Sequence, residues 1–277
     1  MRHCLTGLLL IGNLLAQPAA LASPTGQAKI DDPFPRAATA YALYLDTQNT
    51  PYWAKQENRR LPPASLTKLM TVLLVDEDDK ALATDITIHQ KASQESGTRL
   101  GLRQGERYRA TDLLAAALIG SHNDACLALA EQLGGNEARF IEHMNRRAKQ
   151  LGLQDTHFAN ACGHDTAGHY TTATDLARLA RAVLSRPRLR ELARLQEFRM
   201  NSLDGARHHL IKNTNLLLGR FPGAQGLKTG YTPQAGKCLI AYATRGSRQA
   251  LLVMLNAPNR WWDAEDMLEL AFAQPAP

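Results

Sequence analysis

A hydroxyl and an amine three residues apart, on Ser65 and Lys68, form the first combination in this chain that suits nucleophilic catalysis. Two prolines precede them, and apolar residues then recur at helical spacing as far as Val75, which predicts a largely buried helix with Ser65 in its first turn. Positions three apart lie on one face of a helix, so the amine can reach the hydroxyl. Burial of Lys68 would favour its neutral form and allow it to take the serine proton. About one Ser-x-x-Lys is expected by chance in a chain of this size, so the pair needs support from elsewhere.

A second polar pair, Ser121 and Asn123, stands in a break between two apolar helical runs, residues 111–118 and 124–133. The pattern Ser-x-Asn is also weak by itself, since just under about one is expected by chance. Its position carries more information, because a hydroxyl and a carboxamide in an interhelical loop can project into a cleft instead of the core. We therefore expect both side chains to face a cleft.

The third group, Lys228-Thr229-Gly230, lies in a segment that is predicted to be a strand. This triplet is rarer, at about one chance occurrence in twenty chains of this length. A glycine lets a substrate backbone approach the edge of a strand, and the lysine ammonium and threonine hydroxyl can hold a carboxylate. The three residues are therefore candidates for peptide binding.

In this order and in these settings, the three motifs match the signature of penicillin-binding proteins and class A β-lactamases. The sequence resembles the D-alanyl-D-alanine carboxypeptidase family of low-molecular-mass penicillin-binding proteins, over nearly the whole of residues 23–277. The segments that carry the resemblance are PASLTKLMT from Pro63, TDLL from Thr111 followed by SHNDA from Ser121, and GLKTGYT from Gly226.

The resemblance implies a serine peptidase mechanism and gives roles to the first two motifs. Ser65 is expected to be the acylated nucleophile and Lys68 its base. Ser121 is expected to relay a proton to the leaving amine, and Asn123 to hold the substrate amide. The implied reaction removes the terminal D-alanine from peptidoglycan stem peptides through an ester on Ser65, and β-lactams are expected to acylate the same residue.

The resemblance also gives roles to the third motif. Lys228 is expected to shape the electrostatic field around the hydroxyls, while Thr229 and Gly230 line the strand on which the peptide docks. The backbone N–H groups of Ser65 and Tyr231 are expected to form the oxyanion hole.

Three other functions remain open for these motifs. A class A β-lactamase needs a glutamate in the loop before the third motif to activate a deacylating water, and residues 152–170 contain no glutamate. A D,D-endopeptidase that cuts peptide cross-links is poorly separated by sequence, and Thr214 stands where some carboxypeptidases have an arginine that would contact a terminal carboxylate. A catalytically silent wall-binding protein is disfavoured, because every motif residue is present.

Strands at both ends of the chain, with helices between and after them, predict an α+β fold. Five segments are predicted to be strands, at residues 39–45, 51–55, 226–231, 236–243 and 249–255. We expect them to form one antiparallel sheet of about five strands flanked by helices, beside an all-helical subdomain, with the active site between the two. This is the β-lactamase/transpeptidase-like architecture that the resemblance implies.

The first residues of the chain predict export. Arg2 and His3 precede an apolar run that is too short to span a bilayer, and Ala20-Leu21-Ala22 offers small residues at a cleavage site. We therefore expect a signal peptide at residues 1–22 and a periplasmic or secreted mature protein. Residues 23–277 are expected to form a single D,D-peptidase domain, without a C-terminal β domain or a membrane anchor.

Cysteines and histidines give weaker indications. Cys126, Cys162 and Cys238 would remain in an oxidising compartment, where they permit at most one intramolecular disulfide and leave its pairing open. Three histidines surround Cys162 in the loop of residues 152–172, but their spacing matches no zinc pattern, so no metal or cofactor is expected. The formal net charge is +6, yet no aromatic residues interleave the arginines, so nucleic acid is not an expected partner.

Overall fold

The computed structural model describes Met1 and residues 37–274. The signal peptide predicted for residues 1–22 lies, apart from Met1, outside the described residues. In the described part of the chain, no helix is long and apolar enough to cross a membrane.

One antiparallel sheet is built from both ends of the described chain. The strands, in chain order, are β1 (Ala40–Leu45), β2 (Trp53–Lys55), β3 (Asp85–Thr87), β4 (Arg107–Arg109), β5 (Glu197–Asn201), β6 (His208–Lys212), β7 (Ala224–Thr232), β8 (Gly236–Arg245) and β9 (Arg248–Leu255). The five-stranded sheet has the order β2-β1-β9-β8-β7, with every neighbouring pair antiparallel, so the predicted sheet is confirmed. Because β7 is at the edge, one side of its backbone has no strand neighbour within residues 37–274.

The helices pack on both faces of this sheet. They are α1 (Lys68–Asp76), α2 (Asp79–Leu82), α3 (Gln90–Ser93), α4 (Ala110–Ile119), α5 (Asn123–Gly134), α6 (Glu137–Gln150), α7 (Ala173–Leu184), α8 (Pro187–Ala193) and α9 (Arg260–Ala273). Successive residues of a strand point to opposite faces. Along β1, Tyr41 and Leu43 therefore pack in one core with α9, whereas Ala42 and Tyr44 join a larger core with the other helices.

The larger core surrounds the helices that carry the first two motifs. In α1 and α4 almost every side chain is buried, as expected from their apolar composition. The more polar α6 and α7 bury one face each. Both helices are capped at their N-termini by the side chains of Asn136 and Thr172, which accept hydrogen bonds from backbone N–H groups of the first turn. These contacts hold α1 and the start of α5 in fixed positions beside the sheet.

The subdomain beside the sheet is not purely helical, so that part of the expectation is wrong. It also contains two antiparallel pairs, β3 with β4 and β5 with β6. The strands β3 and β4 have three residues each, which is too short for an alternating apolar pattern to appear. In β5 the apolar Phe198 and Met200 do alternate with polar residues, but the alternation covers only five residues, and most side chains of β5 and β6 are exposed or half-buried.

Candidate active site

Ser65 lies in a 3₁₀ turn, Ala64–Thr67, that leads directly into α1. The sequence predicts it in the first turn of the helix itself, and the structure places it one turn earlier. Ala64 adopts a positive φ of 49°, an uncommon conformation for a residue with a side chain. The Thr67 hydroxyl donates to the Ala64 carbonyl at 2.8 Å and lies 2.7 Å from Nε2 of His169. These contacts of Thr67 hold the turn in place, and Ser65 within the turn is half-buried.

The Lys68 amine is fully buried beside the serine. Its Nζ lies 3.1 Å from Oγ of Ser65, and it donates to Oδ1 of Asn123 and to the carbonyl of Cys162, each at 2.6 Å. Burial lowers the pKa of Lys68 from 10.5 to about 7, against the weaker opposing attraction of Glu95. A large fraction of the amines is therefore neutral near neutral pH.

Ser121 lies in the break between α4 and α5, as predicted, whereas Asn123 is placed at the start of α5 and not in the break. Ser121 has a φ of 61° and is mostly buried. Asn123 is the first residue of α5, and its Nδ2 donates to the Ser96 carbonyl at 2.6 Å while its backbone N–H donates to the Thr98 carbonyl at 2.7 Å. Since Oδ1 of Asn123 accepts from Lys68, the second motif is brought into direct contact with the first.

His122 separates these two residues in the chain and is half-buried. Burial lowers its pKa from 6.5 to about 4, and the nearby amines of Lys228 and Lys68 act in the same direction. Its Nδ1 is buried without a hydrogen-bond partner among the described residues. The imidazole is therefore neutral at the pH values at which the Lys68 amine titrates.

The third motif lies on β7, the edge strand that packs against the 3₁₀ turn. Lys228 is buried, and its Nζ donates to the Thr229 carbonyl at 3.1 Å. Burial, reinforced by the positive charge of Lys68, holds the pKa of Lys228 well below 10.5. The hydroxyls of Thr229 and Thr214 share a hydrogen bond of 2.6 Å. The Lys228 amine and the two threonine hydroxyls therefore stand beside this edge.

Gly230 and Tyr231 lie at the point where β7 approaches Ser65. A Cβ on Gly230 would lie 3.0 Å from the Cβ of Ala64 and 3.1 Å from the backbone nitrogen of Ser65, which is closer than side chains usually pack. Glycine is therefore needed for the strand to reach the turn. Tyr231 is 63% exposed, so its side chain is free to meet a ligand.

Three kinds of contributor to this site, from four residues, were not identified from the sequence: an arginine, the two carbonyls that hold Asn123 and the carbonyl that accepts from Lys68. Nη1 of Arg260 donates to the Gly230 carbonyl at 2.7 Å and to the Cys238 carbonyl at 3.0 Å, which fixes β7 against β8. The Ser96 and Thr98 carbonyls hold Asn123. The third contributor is the carbonyl of Cys162. A backbone carbonyl has no sequence signature, and Arg260 belongs to no motif, so only the fold could reveal them.

Two of the three cysteines in the described part of the chain, and the histidines of the loop of residues 152–172, have partners within the fold. Cys126 and Cys162 form a disulfide, and Cys238 is buried as a free thiol. His169 contacts Thr67, and Nε2 of His164 lies 3.3 Å from Oε1 of Glu95. Among the described residues, no group of His, Cys, Asp and Glu is arranged to hold a metal ion.

Known proteins are similar to this chain in both sequence and fold. The model of the D-alanyl-D-alanine carboxypeptidase family matches residues 33–259. The carboxypeptidase DacF of Bacillus subtilis strain 168 is 34% identical over 275 residues, which cover 96% of this chain and 70% of that protein. Three other D-alanyl-D-alanine carboxypeptidases, at 34% to 35% identity, are longer, and the chain spans 54% to 58% of their length.

Two solved structures illustrate the common architecture. The Streptomyces K15 DD-transpeptidase superimposes with a TM-score of 0.81 at 29% identity, over 87% of this chain and 98% of that one. Penicillin-binding protein D2 of Listeria monocytogenes, solved in its ampicillin-bound form, gives a TM-score of 0.74 at 31% identity, over 85% and 97% of the two chains. The predicted transpeptidase-like α+β fold is thereby confirmed.

Proposed function

We propose, from the premise that this chain belongs to the D-alanyl-D-alanine carboxypeptidase family, that it is a serine carboxypeptidase. It removes the terminal D-alanine from peptidoglycan stem peptides through an ester on Ser65, and β-lactams acylate the same residue. One observation carries the proposal: the buried Lys68 amine, whose pKa is about 7, lies 3.1 Å from Oγ of Ser65. A base of this kind can take the serine proton near neutral pH.

Acylation and deacylation follow from the neighbouring groups. Lys68 accepts the proton of Ser65, and Oγ attacks the carbonyl of the penultimate residue. Ser121 passes its proton to the nitrogen of the departing D-alanine and is reprotonated by the Lys68 ammonium, which restores the neutral amine, while Asn123 binds the substrate amide. The backbone N–H groups of Ser65 and Tyr231 stabilise the oxyanion. Water then hydrolyses the ester and regenerates the hydroxyl.

The substrate peptide docks along the free edge of β7. Thr229 and Gly230 line this edge, and the terminal carboxylate is received by the Thr229 hydroxyl and the Lys228 amine. The hydroxyl of Thr214 supports Thr229 from the other side. An incoming carboxylate raises the pKa of Lys228, because an opposite charge stabilises the ammonium form, so we infer that this lysine is protonated as the substrate binds.

Penicillin adducts should be long-lived in this protein. The loop of residues 152–170 has no glutamate, and its two aspartates are both engaged. Asp155 pairs with Arg60, and Asp165 accepts from the hydroxyl of Thr232 and the backbone of Gln234. No carboxylate of this loop is therefore left to activate a deacylating water, which favours a penicillin-binding protein over a β-lactamase.

We also propose that the protein works outside the cytoplasm, after removal of residues 1–22, with residues 23–277 as a single catalytic domain. The apolar run and the small residues at 20–22 support export. A disulfide between Cys126 and Cys162 fits an oxidising compartment.

The first experiment measures the intact mass of the protein after incubation with a penicillin, and then maps the adduct by peptide mass. We expect one adduct on Ser65 that persists for many minutes, and none on the Ser65→Ala variant. An adduct on another residue would refute the proposed nucleophile. An adduct that is lost within seconds would favour a β-lactamase.

The preferred reaction is tested with three peptides: a stem pentapeptide with a free carboxyl end, the same peptide amidated, and a cross-linked dimer of stems. We expect the free pentapeptide to be cleaved fastest, because only it presents a terminal carboxylate to Thr229 and Lys228. The Ser65→Ala variant serves as the blank. Faster cleavage of the dimer, with no effect of amidation, would identify an endopeptidase instead.

A further inference from the structure

We propose that the Cys126–Cys162 disulfide is a positioning element of the active site, which holds in place two of the oxygens that bind the Lys68 amine. The inference rests on the proposed function of Ser65 and Lys68 and extends it to residues outside the three motifs. It concerns the buried region where α1, α5 and the segment of residues 160–163 meet.

The contacts around the Lys68 amine form a closed ring. Nζ donates to Oδ1 of Asn123 and to the Cys162 carbonyl at 2.6 Å each. Asn123 opens α5, and Cys126 lies three residues later, on the same face of that helix. Cys126 is bonded to Cys162, and their Cα atoms are 6.0 Å apart. Lys68, Asn123, Cys126 and Cys162 therefore form a closed ring of contacts. The disulfide is its covalent link, and the hydrogen bonds of the Lys68 amine close it on the other side.

The segment that carries Cys162 also lies against the nucleophile. A Cβ on Gly163 would come 2.0 Å from the Ala64 carbonyl oxygen, so there is no space between this segment and the turn that holds Ser65. The Thr71 hydroxyl donates to the Ala161 carbonyl at 2.6 Å, which ties the segment to α1. The disulfide ties the same segment to α5, so the two acceptors of Lys68 cannot separate.

Four titratable side chains interact electrostatically with the amine, and the cysteine variants leave all four in the chain. They are Glu95 after α3, His122 before α5, Asp124 on α5 and Lys228 on β7. Burial, and not these charges, is the main cause of the low pKa of Lys68. Without the disulfide, the Cys162 carbonyl and Asn123 can move apart and admit water, so the pKa of the amine should rise toward 10.5.

The experiment compares the rate of acylation by a fluorescent penicillin between pH 5.5 and pH 10. Cys238→Ala is the reference background, so that no third thiol can form a new bond, and Cys126→Ala/Cys162→Ala is added to it. We expect the midpoint of the pH profile to rise by about one unit or more. At pH 7 this lowers the neutral fraction from about one half to about one tenth, so acylation slows roughly fivefold, and it recovers at alkaline pH.

A purely structural disulfide would give another result. The control variant Leu268→Ala lies in the separate core beneath α9 and lowers stability without touching the site. The acylation rates of the control and of the cysteine variant are compared at temperatures equally far below their respective melting temperatures. The control should leave the midpoint unchanged. If the cysteine variant also keeps the reference midpoint and is slower by the same factor at every pH, the positioning role is overturned. Should the double variant not fold, Cys126→Ala, which keeps the sulfur of Cys162, provides the comparison.

The outcome is separable from that of the proposed function. If the reference protein forms no adduct on Ser65, the proposed function fails before the disulfide is tested. If the reference is labelled on Ser65 with a midpoint near pH 7, the proposed function stands, and the midpoint of the cysteine variant alone decides the inference.

Discussion

At the scale of single residues, the site is controlled by how much water reaches two lysines. Lys68 and Lys228 are both buried, and burial lowers both pKa values. Lys68 keeps three oxygen neighbours, on Ser65, Asn123 and Cys162. These neighbours replace the hydrogen bonds that water would make, although they do not restore the full stabilisation of a charge. The fold therefore supplies a base before any substrate binds.

The replacement Lys68→Arg separates the positive charge from the ability to lose a proton. Guanidinium stays protonated throughout this pH range, so the variant has no base. We expect acylation to fall by roughly 10²- to 10⁴-fold, while the wild-type rate rises with pH through a midpoint near 7. Stopped-flow measurement of penicillin acylation from pH 5.5 to pH 9 checks both statements. Near wild-type acylation by the arginine variant would exclude Lys68 as the base.

At the scale of elements, the sequence predicts what is encoded locally. The pattern of apolar residues predicts α1 and the strands β7 to β9, and the first two motifs contain Ser65, Lys68 and Asn123, which the structure brings into contact. The disulfide pairing and the contacts of Arg260 have no local signature in the sequence, because they join residues far apart in the chain. The short β3 and β4 were missed because three residues carry no periodicity.

Gly163 lies in the loop of residues 152–172 and packs directly against the 3₁₀ turn that holds Ser65. It has a φ of 90°, and Gly168, in the same loop, has a φ of 77°. An added Cβ would collide with the Ala64 carbonyl at Gly163, whereas at Gly168 its nearest neighbour is 3.9 Å away, on His157. The two glycines therefore share a left-handed backbone conformation, but only Gly163 has no space for a side chain.

Alanine at these two positions should have very different effects. Gly168→Ala is expected to cost about 1 to 2 kcal/mol of stability, from the left-handed backbone alone, and to leave acylation nearly unchanged. Gly163→Ala must also displace the turn before Ser65, so we expect acylation to fall at least about tenfold, beyond any similar loss of stability. Urea unfolding and penicillin labelling of both variants provide the measurement. Equal acylation rates would show that the loop does not constrain the turn.

At the scale of the whole molecule, the catalytic groups lie where the larger core meets the edge of the sheet. The larger core packs α1, α4 and α5 against one another, and β7 contacts the turn before α1, while α9 covers the opposite face of the sheet. Two lysines in such a place reduce the stability of the fold at neutral pH, because the unfolded chain solvates their charges fully. The burial that keeps the Lys68 amine largely neutral near pH 7 therefore also lowers the free energy of unfolding.

The cost should be visible as a pH dependence of unfolding. The pKa of Lys68 is about 7 in the folded protein and 10.5 when unperturbed. Between these values the unfolded chain binds more protons, so the free energy of unfolding rises with pH. From pH 7 to pH 9 this residue should contribute an increase of about 2 kcal/mol.

Lys68→Met is the variant that isolates this contribution, because it keeps a long side chain in the same space without a titrating group. The surface groups titrate in both proteins and cancel in the difference, and Lys228 is buried in both, although the variant removes the smaller part of its pKa lowering that the charge of Lys68 causes. We expect urea unfolding to show a steeper rise in stability between pH 7 and pH 9 for the wild type than for the variant, by about 2 kcal/mol. Parallel pH profiles would mean that Lys68 keeps an ordinary pKa in the folded protein, and the base would then have to be sought among other groups.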